Sequence, residues 1–345
     1  MSTGEKLPTK KTTDPEAVGP SGPVPPAAAA LDAAHGMSIV PRTQAQLVRR
    51  RFFRHRAAMI SLTILILVIL LAFTSIGFAG IPGWWIWDYT SPGKVINRGA
   101  PTLSLWPTFL GGDGFAIGLH PFGQDDLGRD YFSLTMRGAQ ISLMIAFVVG
   151  IVGTLIGVLI GALAGFYRSW VEGTLMRFTD IIITIPVLVI AAVLGQRFGG
   201  AGPLVLALVI ALVVWTGLAR LIRGEFLSLR EKEFVEAARA LGAKPTRIIF
   251  RHILPNTVGV ITVAATLLVA NAILLETALS YLGFGVRAPD TSLGLLVSSY
   301  QNAFNTRPWL FWWPGLFIIT IALTVNFIGD GLRDAFDPRQ NRVRA

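Results

Sequence analysis

Few side chains in this sequence have the type and spacing needed for chemistry. The chain has no cysteine, and its four histidines stand apart without metal-ligand spacing, at His35, His55, His120 and His252. Neither the G-x-S-x-G pattern of a serine nucleophile nor the G-x-x-x-x-G-K-[ST] pattern of a phosphate-binding loop occurs. The sequence therefore predicts no catalytic site, no bound cofactor and no bound metal in this chain.

Two carboxylates lie inside long apolar segments, where an ionised group costs roughly 2.5–3.5 kcal/mol at a helix centre. Asp180 follows Arg177 by one helical turn, which favours a local ion pair. Glu276 lies beside Thr277 and Ser280, and this position is equally consistent with lining a pathway and with bonding to a neighbouring loop. Two isolated carboxylates make a poor proton relay, so these residues alone do not define a function.

The segments that position these carboxylates are long and apolar. Hydrophobic residues form 52% of the 345 residues, charged residues form 14%, and the mean hydropathy is +0.59. A membrane-spanning helix needs about 20 mostly apolar residues. Six segments satisfy this requirement, at roughly 58–79, 139–166, 175–196, 203–221, 256–280 and 309–329. We therefore expect an all-α, polytopic membrane bundle with six transmembrane helices.

The net charge of +10 lies at the ends of the apolar segments. The first 57 residues hold nine Lys and Arg and the loop from Arg220 to Arg251 holds eight, whereas segment 81–137 holds four against five Asp. Cytoplasmic loops carry the excess of Lys and Arg, so we expect 81–137 outside and both termini in the cytoplasm. The predicted partner of this charge is the lipid bilayer and not nucleic acid.

These patterns divide the chain into a series of segments. We expect a disordered cytoplasmic tail at 1–42, an interfacial helix at 43–57, the first transmembrane helix at 58–80, an external loop at 81–137, a five-helix core at 138–330 that includes a cytoplasmic loop at 222–252, and a cytoplasmic tail at 331–345.

Two features inside the apolar segments bear on helix packing. Glycines at four-residue spacing form a smooth strip on one helix face, at Gly153, Gly157, Gly161 and Gly165. Such a strip lets another helix approach closely, and we favour packing within this chain over a subunit interface. Pro186 lies inside the third segment, where it leaves the Ile182 carbonyl short of a partner and predicts a kink.

The basic loop between the fourth and fifth predicted spans has the sequence of two short helices joined by a turn. Ser228 and Glu231 have the spacing of a capping box, which predicts that a helix begins there. Gly242 suits the left-handed residue that ends this helix. Pro245 suits the first turn of a second helix, which we expect to run to Pro255 at the start of the fifth span.

The first helix of this loop presents a small apolar face. The members of this face recur at the spacing of one helix side, at Phe234, Ala237, Ala238 and Leu241. The face is small enough to enter a groove on a partner protein, and it is also consistent with packing beneath the chain's own bundle. The spacing leaves both interpretations open.

The loop also carries a family motif. Glu-Ala-Ala, three further residues, Gly and, twelve residues beyond it, Leu-Pro stand at Glu236, Ala237, Ala238, Gly242 and Leu254-Pro255. This motif resembles the coupling loop of the membrane subunits of bacterial ATP-binding cassette importers. His252 stands where the family's pattern has Ile, and Ile253 follows it. The resemblance implies that this loop docks on an ATPase subunit through Phe234, Glu236, Ala237, Ala238, Leu241 and Gly242.

A segment of the predicted external loop narrows the family. The stretch 120–133 resembles the external signature of the dipeptide/oligopeptide/nickel permease group, with Gln124 in place of the usual Thr. The signature residues are Phe122, Gly123, Asp125, Leu127, Gly128, Arg129 and Asp130. Segments 276–285 and 326–339 resemble the C-type inner-membrane subunit of that group, so the resemblance covers roughly 45–340.

The resemblance implies a permease subunit with the type I importer fold in a bacterial inner membrane, transporting dipeptides or oligopeptides. The implied partners are a second homologous permease subunit, two ATPase domains that bind ATP and Mg, and an external substrate-binding protein. Nickel and glutathione are alternative substrates within the family. The alternative class is a self-sufficient ion-coupled transporter, which internal repeats and paired midspan charges would favour; the sequence shows neither.

Overall fold

The fold is built almost entirely from α-helices. The computed structural model describes residues 44–104, 114 and 116–337, so the predicted tail at 1–42 and residues 338–345 lie outside the described part. The helices are α1 (Gln44–Arg54), α2 (Arg56–Ser75), α3 (Tyr131–Tyr167), α4 (Ser169–Thr184), α5 (Val187–Phe198), α6 (Pro203–Val214), α7 (Thr216–Arg230), α8 (Glu233–Ala240), α9 (Pro245–Tyr281), α10 (Leu293–Tyr300) and α11 (Trp309–Phe336).

Short elements complete the described part of the chain. Strands β1 (Gly77–Phe78) and β2 (Ile81–Pro82) form an antiparallel hairpin after α2, in which Gly77 pairs with Pro82. Single 3-10 turns lie at Asn97–Gly99, Gly199–Ala201 and Gln301–Ala303.

The helices provide up to six membrane spans, which is the number that the sequence predicts. Helices α2, α3, α9 and α11 are each long and apolar enough to cross a bilayer. Two further spans are bent pairs, α4 with α5 at 84° and α6 with α7 at 46°. Helix α3 lies at the centre of the core, because it packs against α2, α6, α7, α9 and α11.

Three helix ends differ from the segment boundaries that the sequence predicts. The predicted interfacial helix ends at Arg54, because His55 caps the next helix by accepting a hydrogen bond from the Ala58 amide at 3.1 Å. Helix α2 ends at Ser75, so the predicted first span at 58–80 is shifted. Helix α11 continues to Phe336, past the residue 331 at which the tail is predicted to begin.

The predicted external loop is also too long at its C-terminal end. Helix α3 begins at Tyr131, whereas the loop was expected to extend to 137. The cause is Asp130, whose side chain accepts a hydrogen bond from the Ser133 amide at 2.9 Å and caps the helix. The first turns of α3, residues 131–136, are therefore helical and buried in the fold, although the sequence assigns them to the external loop.

The predicted kink at Pro186 is a full break between two helices. Helix α4 ends at Thr184, and Ile185 and Pro186 have extended backbones with ψ of 129° and 127°. The expectation that the Ile182 carbonyl would lack a partner is wrong, because it accepts a hydrogen bond from the Ile185 amide at 3.3 Å. The break reorients the chain by 84° inside the third span.

The expected ion pair of Asp180 with Arg177 is also wrong. Asp180 pairs with Arg220 of α7 at 2.5 Å, so the bridge joins two helices and does not lie within one. A second bridge between the same helices joins Arg223 Nε to Glu172 at 2.7 Å. Because α4 and α7 pack side by side, the guanidinium groups of Arg220 and Arg223 reach Asp180 and Glu172, and the ion pairs form between helices.

The glycine strip packs within this chain, as the sequence analysis favours. A β-carbon on Gly161 would lie 2.5 Å from the Ala219 carbonyl oxygen, and one on Gly165 would lie 2.6 Å from Phe226 Cβ. Both neighbours belong to α7. The strip therefore lets α3 and α7 approach to backbone contact inside the bundle.

Gly161→Ala is expected to destabilise the protein by about 1–3 kcal/mol, because the added methyl has no room against the α7 backbone. Gly173→Ala is the matched control, since nothing lies within 4 Å of a β-carbon there. Thermal unfolding of the purified variants in detergent measures the effect. Equal unfolding midpoints for the two variants would contradict this assignment of the strip.

Candidate functional site

The loop between the fourth and fifth spans contains one short helix, α8, which begins later than the sequence predicts. The capping box at Ser228 and Glu231 does not start it, because α7 runs through Ser228 to Arg230. Helix α8 begins at Glu233 after Lys232, which makes no side-chain cap. Two acidic residues, Glu233 and Glu236, lie in the first turn, where their negative charges interact favourably with the positive end of the helix dipole.

Gly242 ends α8 in the predicted manner. Its φ of +76° lies in the left-handed region, and its amide donates to the Arg239 carbonyl at 3.0 Å. The Ala243 amide donates to the Ala238 carbonyl at 3.0 Å, which completes the paired hydrogen bonds of a Schellman turn. The turn is therefore defined by the backbone of these residues and fixes the direction in which the loop leaves α8.

The second helix of the loop is continuous with the fifth span. Pro245 occupies its first turn as predicted, but the helix does not end near Pro255. Residues Ile248–Ile253 form a wider turn, in which the Leu254 amide donates to the Ile249 carbonyl. Because Pro255 has no amide hydrogen, the chain continues past it only with this local change in pairing.

Burial divides α8 into two faces. Val235 is fully buried and Ala238 is nearly so, whereas Phe234 is 41% exposed and Leu241 is 88% exposed. Glu236 and Ala237 are exposed as well. Ala238 therefore lies inward, apart from the three residues with which helical spacing groups it, and the outward face consists of Phe234, Glu236, Ala237 and Leu241.

The inward face of α8 attaches the loop to the bundle. Val235 joins a buried apolar cluster made of Ala162, Phe166, Leu218, Ile222, Phe226, Ile248, Ile249 and Ile253. Ile253 is fully buried, so it supplies the apolar contact beside His252. An ion pair between Arg168 and Glu231 links the loop to the end of α3. The outward face is thus held on a fixed platform.

Leu241 stands out because nothing in the described bundle covers it. A large apolar side chain that is 88% exposed contributes little to the stability of its own chain. Together with Phe234 it forms an apolar edge on a rigid, charged loop. Such an edge fits insertion into a groove of a partner protein better than packing beneath this bundle.

The external signature is a folded cap at the start of α3. Asp125 is fully buried and accepts hydrogen bonds from the amides of Leu127 and Arg129, at 2.9 and 2.8 Å, and from Arg129 Nε at 2.6 Å. The Tyr300 hydroxyl of α10 also donates to Asp125, at 3.1 Å. Burial raises the pKa of Tyr300 well above its ordinary value, and Asp125 adds to the effect, so this hydroxyl remains a donor at neutral pH.

Two glycines of the signature are required by their backbone and their neighbours. Gly123 and Gly128 have φ of +86° and +74°, in the left-handed region. A β-carbon would lie 2.5 Å from the Gly99 carbonyl oxygen at the first position and 1.9 Å from the Gly93 carbonyl oxygen at the second. The signature therefore packs directly on the segment that follows the β1–β2 hairpin.

The remaining signature residues have different roles. Phe122 stacks on Trp313 of α11 with ring centroids 3.9 Å apart. Gln124 is buried and bridges two loop segments, since it accepts from the Ile96 amide at 2.8 Å and donates to the Lys94 carbonyl at 3.1 Å. The Leu127 side chain is exposed, and this residue joins the cap through its backbone: its amide donates to Asp125, and its carbonyl accepts from the Gly93 amide at 3.3 Å.

Asp130 connects four groups at the same point. Its Oδ2 accepts from the Trp85 ring nitrogen at 2.9 Å and from the amide and hydroxyl of Ser133 at 2.9 and 2.8 Å. Its Oδ1 lies 2.8 Å from His120 Nδ1, and both side chains are buried. A carboxylate with this number of buried partners holds the loop and the helix together.

Asp130→Ala is expected to destabilise the protein by about 3 kcal/mol, because each buried partner left without a hydrogen bond costs about 1–3 kcal/mol. Asp126→Ala is the matched control: Asp126 is exposed and pairs with Arg307 at the surface, where a bridge contributes about 0–1 kcal/mol. Thermal unfolding in detergent compares the two. If Asp126→Ala lowers the midpoint as much as Asp130→Ala, the network does not hold the cap.

Glu276 is buried completely and does not line a pathway in this structure. It accepts hydrogen bonds from the hydroxyls of Ser142 at 3.0 Å and Ser280 at 2.7 Å. The loop after α9 reaches the same cluster, because the amides of Val286 and Leu293 donate to those two serine oxygens, both at 3.2 Å. Of the two open interpretations, the structure supports the bond to a neighbouring loop, made through serines.

Sequence reasoning missed the polar residues of the spans that carry no charge. Asn271 lies inside α9 and faces a cavity between the broken spans. The sequence does carry a signal for Asn271, which is a single side-chain amide inside an apolar segment. A search limited to ionisable groups does not include it. Ser142 is a second such residue: it bonds to Glu276 from α3, a contact that the position of Glu276 beside Ser280 does not reveal.

Comparison with known proteins places the chain. The family model described as "Binding-protein-dependent transport system inner membrane component" matches residues 157–342, and the model "N-terminal TM domain of oligopeptide transport permease C" matches residues 43–95. The first match includes the loop with α8 and spans more than half of the chain, and the second includes α1 and α2.

Full-length relatives agree with the family models. The chain is similar to the oligopeptide transport system permease protein OppC of Haemophilus influenzae, with 35% identity over 88% of this chain and 91% of that protein. It is also similar to OppC of Mycobacterium tuberculosis, with 34% identity over 86% of this chain and 96% of that protein. A solved inward-facing structure of the MetNI methionine ABC transporter has 22% identity and a TM-score of 0.49, covering 59% of this chain and 96% of that one.

The chain belongs to the family of inner-membrane permease subunits of binding-protein-dependent ATP-binding cassette importers. Members of this family work with ATPase and substrate-binding partners, and they lie in the inner membrane. This membership sets aside the alternative of a self-sufficient ion-coupled transporter.

Proposed function

We propose that this chain forms one half of the translocation path of an importer for dipeptides or oligopeptides. The names of the two OppC relatives support a peptide substrate. The second half is a homologous permease subunit, and an external binding protein delivers the peptide. ATP and Mg bind to two ATPase domains on partner subunits, and this chain itself catalyses no reaction.

The exposed edge of α8 carries the coupling part of the proposal. Leu241 and Phe234 project from a loop that Val235 and Gly242 fix to the bundle, so a groove on an ATPase can grip this edge and move the bundle as a lever. Closure of the ATPases on ATP then drives alternation between inward-open and outward-open arrangements of packed helices. This mechanism requires α8 in the cytoplasm, and with six spans it puts both termini there.

Reconstituted uptake tests the substrate. The complete transporter is placed in liposomes with its binding protein and a labelled tripeptide, and unlabelled dipeptides, longer peptides, nickel and glutathione compete. We expect ATP-dependent accumulation that other peptides suppress and that nickel and glutathione leave unchanged. Suppression by nickel or glutathione alone would replace the peptide proposal with that substrate.

A further inference from the structure

A cavity of about 540 Å³ lies where both broken spans bend. Its walls come from the break between α4 and α5 at Ile185 and Pro186, from the bend between α6 and α7 at Val214 and Thr216, and from the middle of α9 at Asn271. Three separate spans therefore meet at this cavity. Two of them are bent there, and the third, α9, contributes Asn271. None of the described residues that line this cavity is charged.

The break in the third span exposes polar backbone inside a membrane-spanning segment. The last turn of a helix leaves carbonyl oxygens without intrahelical donors, and here the extended Ile185 and Pro186 follow directly. Both residues are exposed in this chain. Irregular backbone at membrane depth is tolerated where it lines a water-filled cavity or is covered by protein, and not against lipid.

Asn271 points to the same conclusion from the opposite wall. It lies in the long apolar helix α9 and is exposed toward the cavity. Within the described ranges its side chain has no hydrogen-bond partner, whereas Asn256 of the same helix donates to the His252 carbonyl at 2.6 Å. Leaving an amide without a partner in an apolar medium costs several kcal/mol, so the cavity must supply water or a polar ligand.

We propose that this cavity is a segment of the translocation path and that Asn271 pairs there with the main chain of a transported peptide. The inference rests on the proposed peptide substrate. A side-chain amide carries one carbonyl acceptor and an N–H donor, which match the N–H and C=O of a peptide unit. Because those groups are present whatever the side chains are, this contact recognises peptides without selecting their sequence.

The apolar walls complete this chemistry. Ile185, Val214, Leu268 and Leu275 contact any side chain through dispersion and offer no charge to hold it. A path lined in this way passes peptides of varied composition and binds them weakly, which suits release on the far side. The uncharged lining is poorly suited to a divalent metal ion, whose ligands are carboxylates, imidazoles and thiolates.

The absence of native cysteine makes the test direct. Asn271→Cys and Val187→Cys place one thiol on each of two cavity walls, and Leu323→Cys places one on an exposed position of α11 that does not line the cavity. The assembled transporter is labelled in proteoliposomes with a small water-soluble thiol reagent. Because the reactive form is the thiolate, the rate reports access to water.

We expect both cavity thiols to react at least about tenfold faster than Leu323→Cys. Addition of the binding protein loaded with peptide, together with ATP, should slow labelling at Asn271→Cys several-fold. Labelling of both cavity thiols at the slow rate of Leu323→Cys would show that lipid or another subunit covers the cavity and would overturn the proposal. Fast labelling that peptide does not change would overturn the peptide contact.

Uptake of labelled peptide by the unaltered transporter in the same liposomes separates two failures. If the unaltered transporter takes up no peptide, the proposed function fails. If uptake is normal and neither cavity thiol behaves as expected, only the assignment of the cavity fails. Val187→Cys keeps the test valid if Asn271→Cys does not assemble.

Discussion

Gly242→Pro is expected to abolish ATP-driven uptake while the chain still inserts into the membrane. Proline fixes φ near −65°, whereas Gly242 has φ of +76° and donates its amide to the Arg239 carbonyl at 3.0 Å. Neither feature survives the substitution, so the Schellman turn is lost and α8 no longer presents a fixed edge. Peptide uptake and ATPase activity of the reconstituted transporter measure the outcome.

Two controls separate the turn from a general effect of substituting this loop. Gly242→Asn should retain most of the uptake, because Asn adopts the left-handed conformation more readily than other residues with a β-carbon. Gly224→Ala lies in α7 with no atom within 4 Å of the added β-carbon and should behave as the unaltered chain. Normal uptake by Gly242→Pro would show that the turn has no part in coupling.

The second large effect is a contrast between two residues of the same helix. Leu241→Ser is expected to weaken ATPase association at least about tenfold, which corresponds to 1.4 kcal/mol, without lowering the unfolding midpoint. Leu241 is almost fully exposed, so its own chain loses little packing. Val235→Ser is expected to lower the unfolding midpoint, because Val235 is fully buried in the cluster beneath α8.

Binding of the purified ATPase subunit to the permease pair in nanodiscs gives the association constant, and thermal unfolding gives the stability. We expect Leu241→Ser to fail in the binding assay and Val235→Ser to fail in the unfolding assay. If Leu241→Ser binds the ATPase normally, the outward face is not the docking surface. If Leu241→Ser unfolds as readily as Val235→Ser, that face belongs to the bundle instead.

Much of the bundle could be predicted because length and apolarity determine which segments cross a membrane. Local physical rules about residue type account for four features: the six spans, the break at Pro186, the glycine strip and the turn at Gly242. The predicted helix boundaries are wrong where a side chain outside the apolar segment caps a helix. Asp130 extends α3 toward its N-terminus by capping it, and no hydropathy pattern contains that information.

Contacts between distant segments account for the wrong partner of Asp180 and for the open interpretation of Glu276. Asp180 bonds to Arg220 on another helix, and Glu276 bonds to Ser142 on α3, so neither partner is visible from sequence spacing. Helical periodicity groups Ala238 with Phe234, Ala237 and Leu241 and leaves open which side of α8 faces the bundle, because periodicity gives the angle of a side chain but not the direction of its neighbours. The fold supplies that direction through Val235.

The external signature shows how a motif acquires a physical meaning. In the sequence, Asp125 and Asp130 belong to a stretch that resembles the external signature of a permease group. In the fold both are buried and hold a cap that joins the loop after α2 to α3 and α10. Leu127 joins the same cap through its backbone, while its side chain is exposed.

Site-specific cross-linking shows whether α8 docks on an ATPase subunit through Leu241. The Leu241→Cys substitution gives the chain a single thiol. A photoreactive maleimide attached to this thiol identifies the neighbours of residue 241 in the assembled transporter. We expect an adduct between the Leu241→Cys chain and the ATPase subunit, and no such adduct from Leu323→Cys. An ATPase adduct from neither position, or from both equally, would show that α8 does not dock on the ATPase through Leu241.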